Sequence, residues 1–382
     1  MKALNKLLLA IIIAFPIASI AQISEAYKYP NEVKMKWVTP DKASFVRDIC
    51  FSPKTPVEAD VYFAVAHKNG YISIFLNDNF IKESERNILT QRISFNLYQS
   101  DKLATKEDRE KFNNTQGSLK FSSDGKYLFS GGWIFYSKVS EAYWSTIYVF
   151  DMEKLDIKNA DVFDQTPRGY KPISVKGVIN NFSISPDDKK VLVNHTLANG
   201  MNLLSLIDVE SNKTEWSTIC KNVIVDAVFG NTTSTIFYTQ GKDIINYSIT
   251  ENKILNTFSL DKIDVCRLYF DGSALISSDF LNKLYYWDLS DPKKPVEIKT
   301  KEFISEIQYV RGSMLATLSG VFVGGGKGNI YEVNFGKKKI YPVKWIYQCD
   351  ECPFIRKITL SGNGRMFAYF NNDNGIIIHT GY

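Results

Sequence analysis

The chain of 382 residues carries 46 Lys and Arg against 41 Asp and Glu, and a net charge of +5 is too slight for that length to mark a nucleic-acid surface. Hydrophobic residues at 45% and charged residues at 23% exclude a disordered or fibrous chain. Aromatics reach 14%, with 25 Phe and 21 Tyr, a composition suited to pleated, half-buried surfaces.

The first predicted element is a targeting segment. Lys2 and Lys6 precede an apolar run from Leu7 to Ile17, and Ser19-Ile20-Ala21 fits the small-x-small rule for cleavage before Gln22. The run is short for a membrane span, which needs roughly 20 residues, and no second run of that length follows. This predicts a signal peptide over residues 1–21, a linker over 22–32, and a mature chain, without a membrane span, that is periplasmic or extracellular.

One short pattern then recurs. In LKFSSDGKYLFSGG, residues 119–132, two alternating apolar runs flank Asp124-Gly125, which reads as a tight hairpin. FSISPDDKKVLVN and ITLSGNGRMFAYF match it without a gap, AVFGNTTSTIFYT follows the same scheme, LYFDGSALISS and QYVRGSMLATL share a shorter turn, and ICFSPKTPVEADVYFAVA has a longer one. Equivalent anchor positions fall at Phe51, Phe121, Ile184, Phe229, Phe270, Val310 and Leu360, 40 to 70 residues apart. A third strand follows in each, as in Thr146–Asp151, Leu203–Asp208 and Lys283–Asp288, and a fourth leads to the next anchor. A period of that length with several strands per period predicts an all-β, seven-bladed β-propeller of four-stranded antiparallel blades over residues 33–382. VKMKWV, Val33–Val38, is expected to close the ring by pairing with the C-terminal strand that ends in NGIIIHTGY.

The SSDGKYL, SPDDKKV and SGNGRMF hairpins, with the strand endings Phe150-Asp151, Ile207-Asp208 and Trp287-Asp288, resemble those of the WD-repeat propellers. The resemblance implies a rigid platform that binds partners, usually proteins, through loops grafted on the scaffold.

In such a fold the connections between strands two and three share a face with those from strand four to the next blade. GGWIFYSKVSEAYW is predicted to be an aromatic loop there, holding Trp133, Phe135, Tyr136, Tyr143 and Trp144. These rings are the candidate partner-binding residues; the alternative is that they pack on one another and plug the end of the ring. His195 is expected in a loop on the same face.

Five cysteines leave at least one unpaired within a single chain. Cys349 and Cys352 form a Cys-x-x-Cys that is expected to be a local disulfide. The alternatives are free thiols, a redox pair or a metal site; the last two lack a surrounding βαβ pattern and a second pair of ligands. Cys50 and Cys266 read as small core residues. There is no Gly-x-Ser-x-Gly elbow, phosphate loop or His-Glu-x-x-His, so no catalytic residue, metal or cofactor is assigned. The sequence thus favours a monomeric, non-catalytic scaffold for another protein or an envelope component. A propeller hydrolase or lactonase with its site at the channel mouth, and a carbohydrate-binding propeller, are the alternatives.

Overall fold

The computed structural model describes residues 31–32, 34–36, 46–53, 61–67, 71–77, 88–96, 118–137, 140–155, 162–163, 170–260, 264–270, 272, 274–291, 295–300, 304–309, 321–325, 330–335, 338–342, 357–362, 366–371 and 375–380. Strands form throughout the described residues, and each sheet is assembled largely from consecutive strands. Sheet 1 is built on Val46–Phe51, Val61–His67, Tyr71–Asn77 and Ile88–Asn96. Sheet 2 comprises Ser118–Phe121, Tyr127–Ser137, Ala142–Asp151 and Tyr170–Lys176. Sheet 3 comprises Val178–Ile184, Lys190–Thr196, Asn202–Asp208 and Thr214–Cys220. Sheet 4 comprises Ala227–Phe229, Thr235–Gln240, Asp243–Ser248 and Lys253–Ser259. Sheet 5 comprises Val265–Phe270, Leu275–Asp279, Lys283–Trp287 and Val296–Lys299. Sheet 6 comprises Ile304–Tyr309, Val321–Gly325, Ile330–Asn334 and Lys339–Pro342. Sheet 7 comprises Lys357–Leu360, Met366–Asn371 and Gly375–Thr380, completed by Asn31–Glu32. The first strand of each sheet lies against the first strand of the next, and that of sheet 7 against that of sheet 1. The arrangement is a β-propeller around a central channel.

The expectation of seven four-stranded antiparallel blades is overturned. Six sheets are of that kind, but sheet 1 is six-stranded and mixed. Its outermost strand, Ile88–Asn96, carries two further short strands in parallel: Lys34–Lys36 along Ile88–Thr90, and Val162–Phe163 along Ile93–Ser94. Parallel pairing needs long crossover connections, and both segments arrive by one. The first comes from beyond the ring closure, the second from the insertion between the third and fourth strands of sheet 2.

The closing strand also differs from the expected one. Asn31–Glu32 pairs antiparallel with the last strand, Asn31 opposite Thr380 and Glu32 opposite His379. Lys34–Lys36, inside the predicted Val33–Val38 strand, belongs instead to sheet 1. One short stretch of chain therefore binds the two sheets on either side of the seam.

The recurring hairpin owes its shape to a serine. Ser122 Oγ accepts from the Tyr127 N–H at 2.8 Å and donates to Asp124 Oδ1 at 2.7 Å. Ser185 does the same with Lys190 and Asp187, at 2.9 and 2.7 Å, and Ser361 Oγ accepts from Met366 N–H at 2.8 Å. At the far end of the third strand, Asp208 and Asp288 accept from the N–H groups of Ser211 and Ser290 at 2.8 and 2.9 Å and so cap the next turn. Six of the expected anchors are the last residue of the first strand and stand opposite a residue near the start of the second, for example Phe51 opposite Phe63 and Ile184 opposite Val191. In sheet 6 that position is Tyr309, opposite Val321, and not Val310. The connection there is longer than in sheet 5, so matching the two segments through their turns displaced the anchor by one.

The core lies between sheets. Alternate residues of each strand face opposite neighbours. Phe63, Val65 and Phe75 pack on Met366, Ala368 and Phe370 of sheet 7, while Tyr62, Ala64, Ile72 and Ile74 pack on Leu128, Tyr148 and Phe150 of sheet 2. Between sheets 4 and 5, Phe258 meets Trp287 edge-on at 5.5 Å, and Trp287 Nε1 donates to buried Ser277 Oγ at 2.8 Å. This alternation onto two apolar neighbours explains why the middle strands read as nearly continuous apolar runs.

Candidate functional site

The innermost strand of a propeller sheet has an open edge facing the channel, and its N–H groups need partners. The sequence supplies them from the preceding sheet. A register shift recurs before Asp48, Asn181, Arg267 and Glu306 and sets them at one level of the ring. Asp48 is buried and accepts from its neighbour Ile49 N–H at 2.8 Å and, across the gap, from Leu119 N–H of sheet 2 at 2.7 Å. Asp226, also buried, accepts from Ala227 N–H at 3.0 Å, from Leu268 N–H of sheet 5 at 3.0 Å, and from Asn181 Nδ2 of sheet 3 at 2.7 Å. Thr359 Oγ1 of sheet 7 accepts from Phe51 N–H of sheet 1 at 3.1 Å. Burial raises the Asp48 carboxyl above the ordinary carboxylate range, against the pull of Lys357 and the two amides.

The channel these strands enclose has a volume of about 1100 Å³. Arg47, Lys120, Arg267 and Lys357 line it together with Asp48 and Asp226, and Asn180, Asn181 and Ser183 add neutral polar groups. Among the described residues no group of three or more His, Cys, Asp or Glu is placed to hold a metal ion. Cys50, Cys220 and Cys266 are free and buried. Burial pushes all three thiols above their ordinary range, Cys220 to about 11, so at neutral pH they are protonated and poor nucleophiles. Cys349 and Cys352, the expected disulfide, lie outside the described residues, as does the predicted signal peptide.

The aromatic segment is not a loop. Tyr127–Ser137 and Ala142–Asp151 remain paired almost to the turn, with Trp133 opposite Thr146, Phe135 opposite Trp144 and Tyr136 opposite Tyr143. A register shift between Ser130 and Trp133 marks where this arm leaves the blade proper. Tyr143 and Trp144, adjacent in the strand, take opposite faces of the arm. Tyr143 is 41% exposed, and Trp144 is half-buried with its Nε1 donating to Ser140 Oγ at 2.9 Å. The side chains of Trp133, Phe135 and Tyr136 fall outside the described part of the structure. The sequence reading missed Met201, Ile219, Val223, Phe280 and Leu281, which are exposed at the same end of their sheets. They sit in turns or near a strand end, Phe280 beside Leu281 in one turn, where no periodic pattern marks them.

His195 is also misplaced by the sequence reading. It lies buried in the second strand of sheet 3, not in a loop. Nδ1–H donates to the Lys176 carbonyl at 2.8 Å and Nε2 accepts from Ser205 Oγ–H at 2.8 Å, tying the end of sheet 2 to the middle of sheet 3. Burial lowers its pKa below the usual 6.5. A depressed value in the fold means that the unfolded chain takes up the proton first, so stability is full above about pH 6.5 and falls as acid titrates the residue. The thermal midpoint is expected to drop more between pH 7.5 and pH 5 in the wild type than in His195→Gln, as followed by circular dichroism.

Among the described residues no helix is long and apolar enough to cross a membrane. No protein-family model matches the chain, and no curated protein is significantly similar to it.

Proposed function

We propose that this chain is an exported, non-catalytic propeller, related to the WD-repeat type, that docks another protein or an envelope component on the face carrying the sheet 2 arm. One observation carries the docking face. Of the eight large apolar side chains exposed among the described residues, Tyr143, Met201, Ile219, Val223, Phe280 and Leu281 lie on that face, and Ile254 and Leu255 lie elsewhere, on an outer strand. Exposed rings and aliphatics gathered on one face of a rigid scaffold are the usual anchors of a protein interface. The N-terminal pattern of Lys2, Lys6 and Leu7–Ile17 supports export.

The test is co-purification from an envelope extract with the wild type, with Tyr143→Ser/Phe280→Ser/Leu281→Ser, and with Ile254→Ser/Leu255→Ser. Recovery of a stoichiometric protein is expected to fall at least tenfold in the first variant and to hold in the second. Equal recovery by all three proteins would remove this face as the docking site. Surface changes of this kind leave stability within about 0.5 kcal/mol, so the comparison is between folded proteins.

A further inference from the structure

The strap that closes the ring is held by strand pairing at two outer edges. Asn31–Glu32 lies antiparallel on Gly375–Thr380 of sheet 7, and Lys34–Lys36 lies parallel on the first residues of Ile88–Asn96 in sheet 1. These ladders are two and three residues long. The same outer strand of sheet 1 also carries Val162–Phe163, so this edge takes strands delivered from two remote parts of the chain. The tether of the strap is short for its task. Nine residues, 37–45, join Lys36 to Val46, where the innermost strand of sheet 1 begins. Lys36 stands opposite Thr90, Thr90 opposite Leu76 and Leu76 opposite Tyr62, whereas Val46 stands opposite His67. The join therefore climbs the five positions from Tyr62 to His67 and crosses from the outside of the sheet to the inside. At ordinary strand rise and spacing that is a distance of about 25 Å. Nine residues reach about 30 Å at full extension. A tether that works near its limit gives its end a low effective concentration, so the strap gains little from belonging to the same chain. A second copy carries the identical segment, already matched in register to both edges, and reciprocal exchange closes with two-fold symmetry and keeps every ladder.

We propose that two copies of this chain exchange residues 31–36, each strap pairing with the outer edges of sheets 7 and 1 of the other copy. The test is sedimentation velocity on the purified protein after incubation at rising concentration just below its thermal midpoint. A dimer fraction that rises with concentration, and relaxes slowly on dilution, is expected. A synthetic peptide of residues 29–38, present in excess during the incubation, is expected to cut that fraction at least tenfold by filling both edges. The same peptide with Glu32→Pro and Met35→Pro, which lacks ladder N–H groups, is expected to leave it unchanged. Asn31→Cys/Thr380→Cys then locates the contact, since these positions face each other across the clasp. Oxidised after the incubation it is expected to give covalent dimers on a non-reducing gel, and oxidised beforehand in dilute solution it is expected to be stapled within one chain and to stay monomeric. Four results would each overturn the proposal: a wild type that is monomeric at every concentration, a dimer that the first peptide leaves unchanged, a dimer that both peptides diminish alike, or one that the stapled chain forms as readily. If the cysteine variant fails to fold, the wild type with the two peptides still decides. Docking on the face of the sheet 2 arm is untouched by these outcomes, since the strap sits on the outer rim and docking is read by co-purification.

Discussion

Gly362→Ala is expected to lower the thermal midpoint by about 10 °C, or to prevent soluble accumulation altogether. Gly362 sits in the hairpin turn of sheet 7, where its N–H donates to the Ser52 carbonyl of sheet 1 at 3.2 Å. A Cβ built there lies 1.4 Å from the Pro53 carbonyl oxygen and 2.1 Å from its carbon. Those atoms are main chain, so no rotamer change can relieve the overlap, and the two turns must separate. The change strikes the seam between the last sheet and the first. Gly200→Ala is the matched control. Gly200 has φ +81° but nothing within 4 Å of its Cβ position, so only the backbone term of about 1 kcal/mol applies. Differential scanning fluorimetry of the two variants decides the matter, and a Gly362→Ala midpoint within 2 °C of the Gly200→Ala midpoint would remove the close approach as the cause.

Asp226→Ala is expected to destabilise the chain by about 3 kcal/mol, because three donors in a buried site lose their acceptor together. Two of them, Leu268 N–H and Asn181 Nδ2, belong to the neighbouring sheets, so the loss acts on both boundaries of sheet 4. Asp226→Asn keeps the shape but turns one oxygen into a donor, and about half the loss is expected. Asp48→Ala removes one fewer donor and should cost less than Asp226→Ala. Urea unfolding gives the order. Asp226→Ala within 1 kcal/mol of the wild type would show that water replaces the carboxylate and that the contact does not join the sheets.

Much of the propeller was legible because its hairpin is a local device. Ser122, Ser185 and Ser361 each satisfy the first N–H of the following strand, and a side chain that bonds within five residues leaves a fixed spacing in sequence. The departures were long-range. Nothing within Lys34–Lys36 or Val162–Phe163 says that both run beside Ile88–Asn96, since parallel partners of two or three residues carry no pattern of their own. The arm of sheet 2 was read as a loop because Gly131-Gly132 looks like a strand end, whereas the structure passes through it with a register shift. The channel was the least legible part. Asp48, Asn181, Asp226, Arg267 and Lys357 lie far apart in the chain, and only the closed ring sets them around one space.

The Asn31–Thr380 pair has a kinetic consequence. Hairpins such as those of sheet 3 join residues a few positions apart and form in about microseconds, but a contact spanning nearly the whole chain must wait for everything between to condense. Closure is therefore expected to come last in folding, and the same two strands are expected to open first. Deuterium uptake at the amides of the strand Gly375–Thr380 should lead that of Lys190–Thr196, so that the ring frays from its clasp while its far side stays shut.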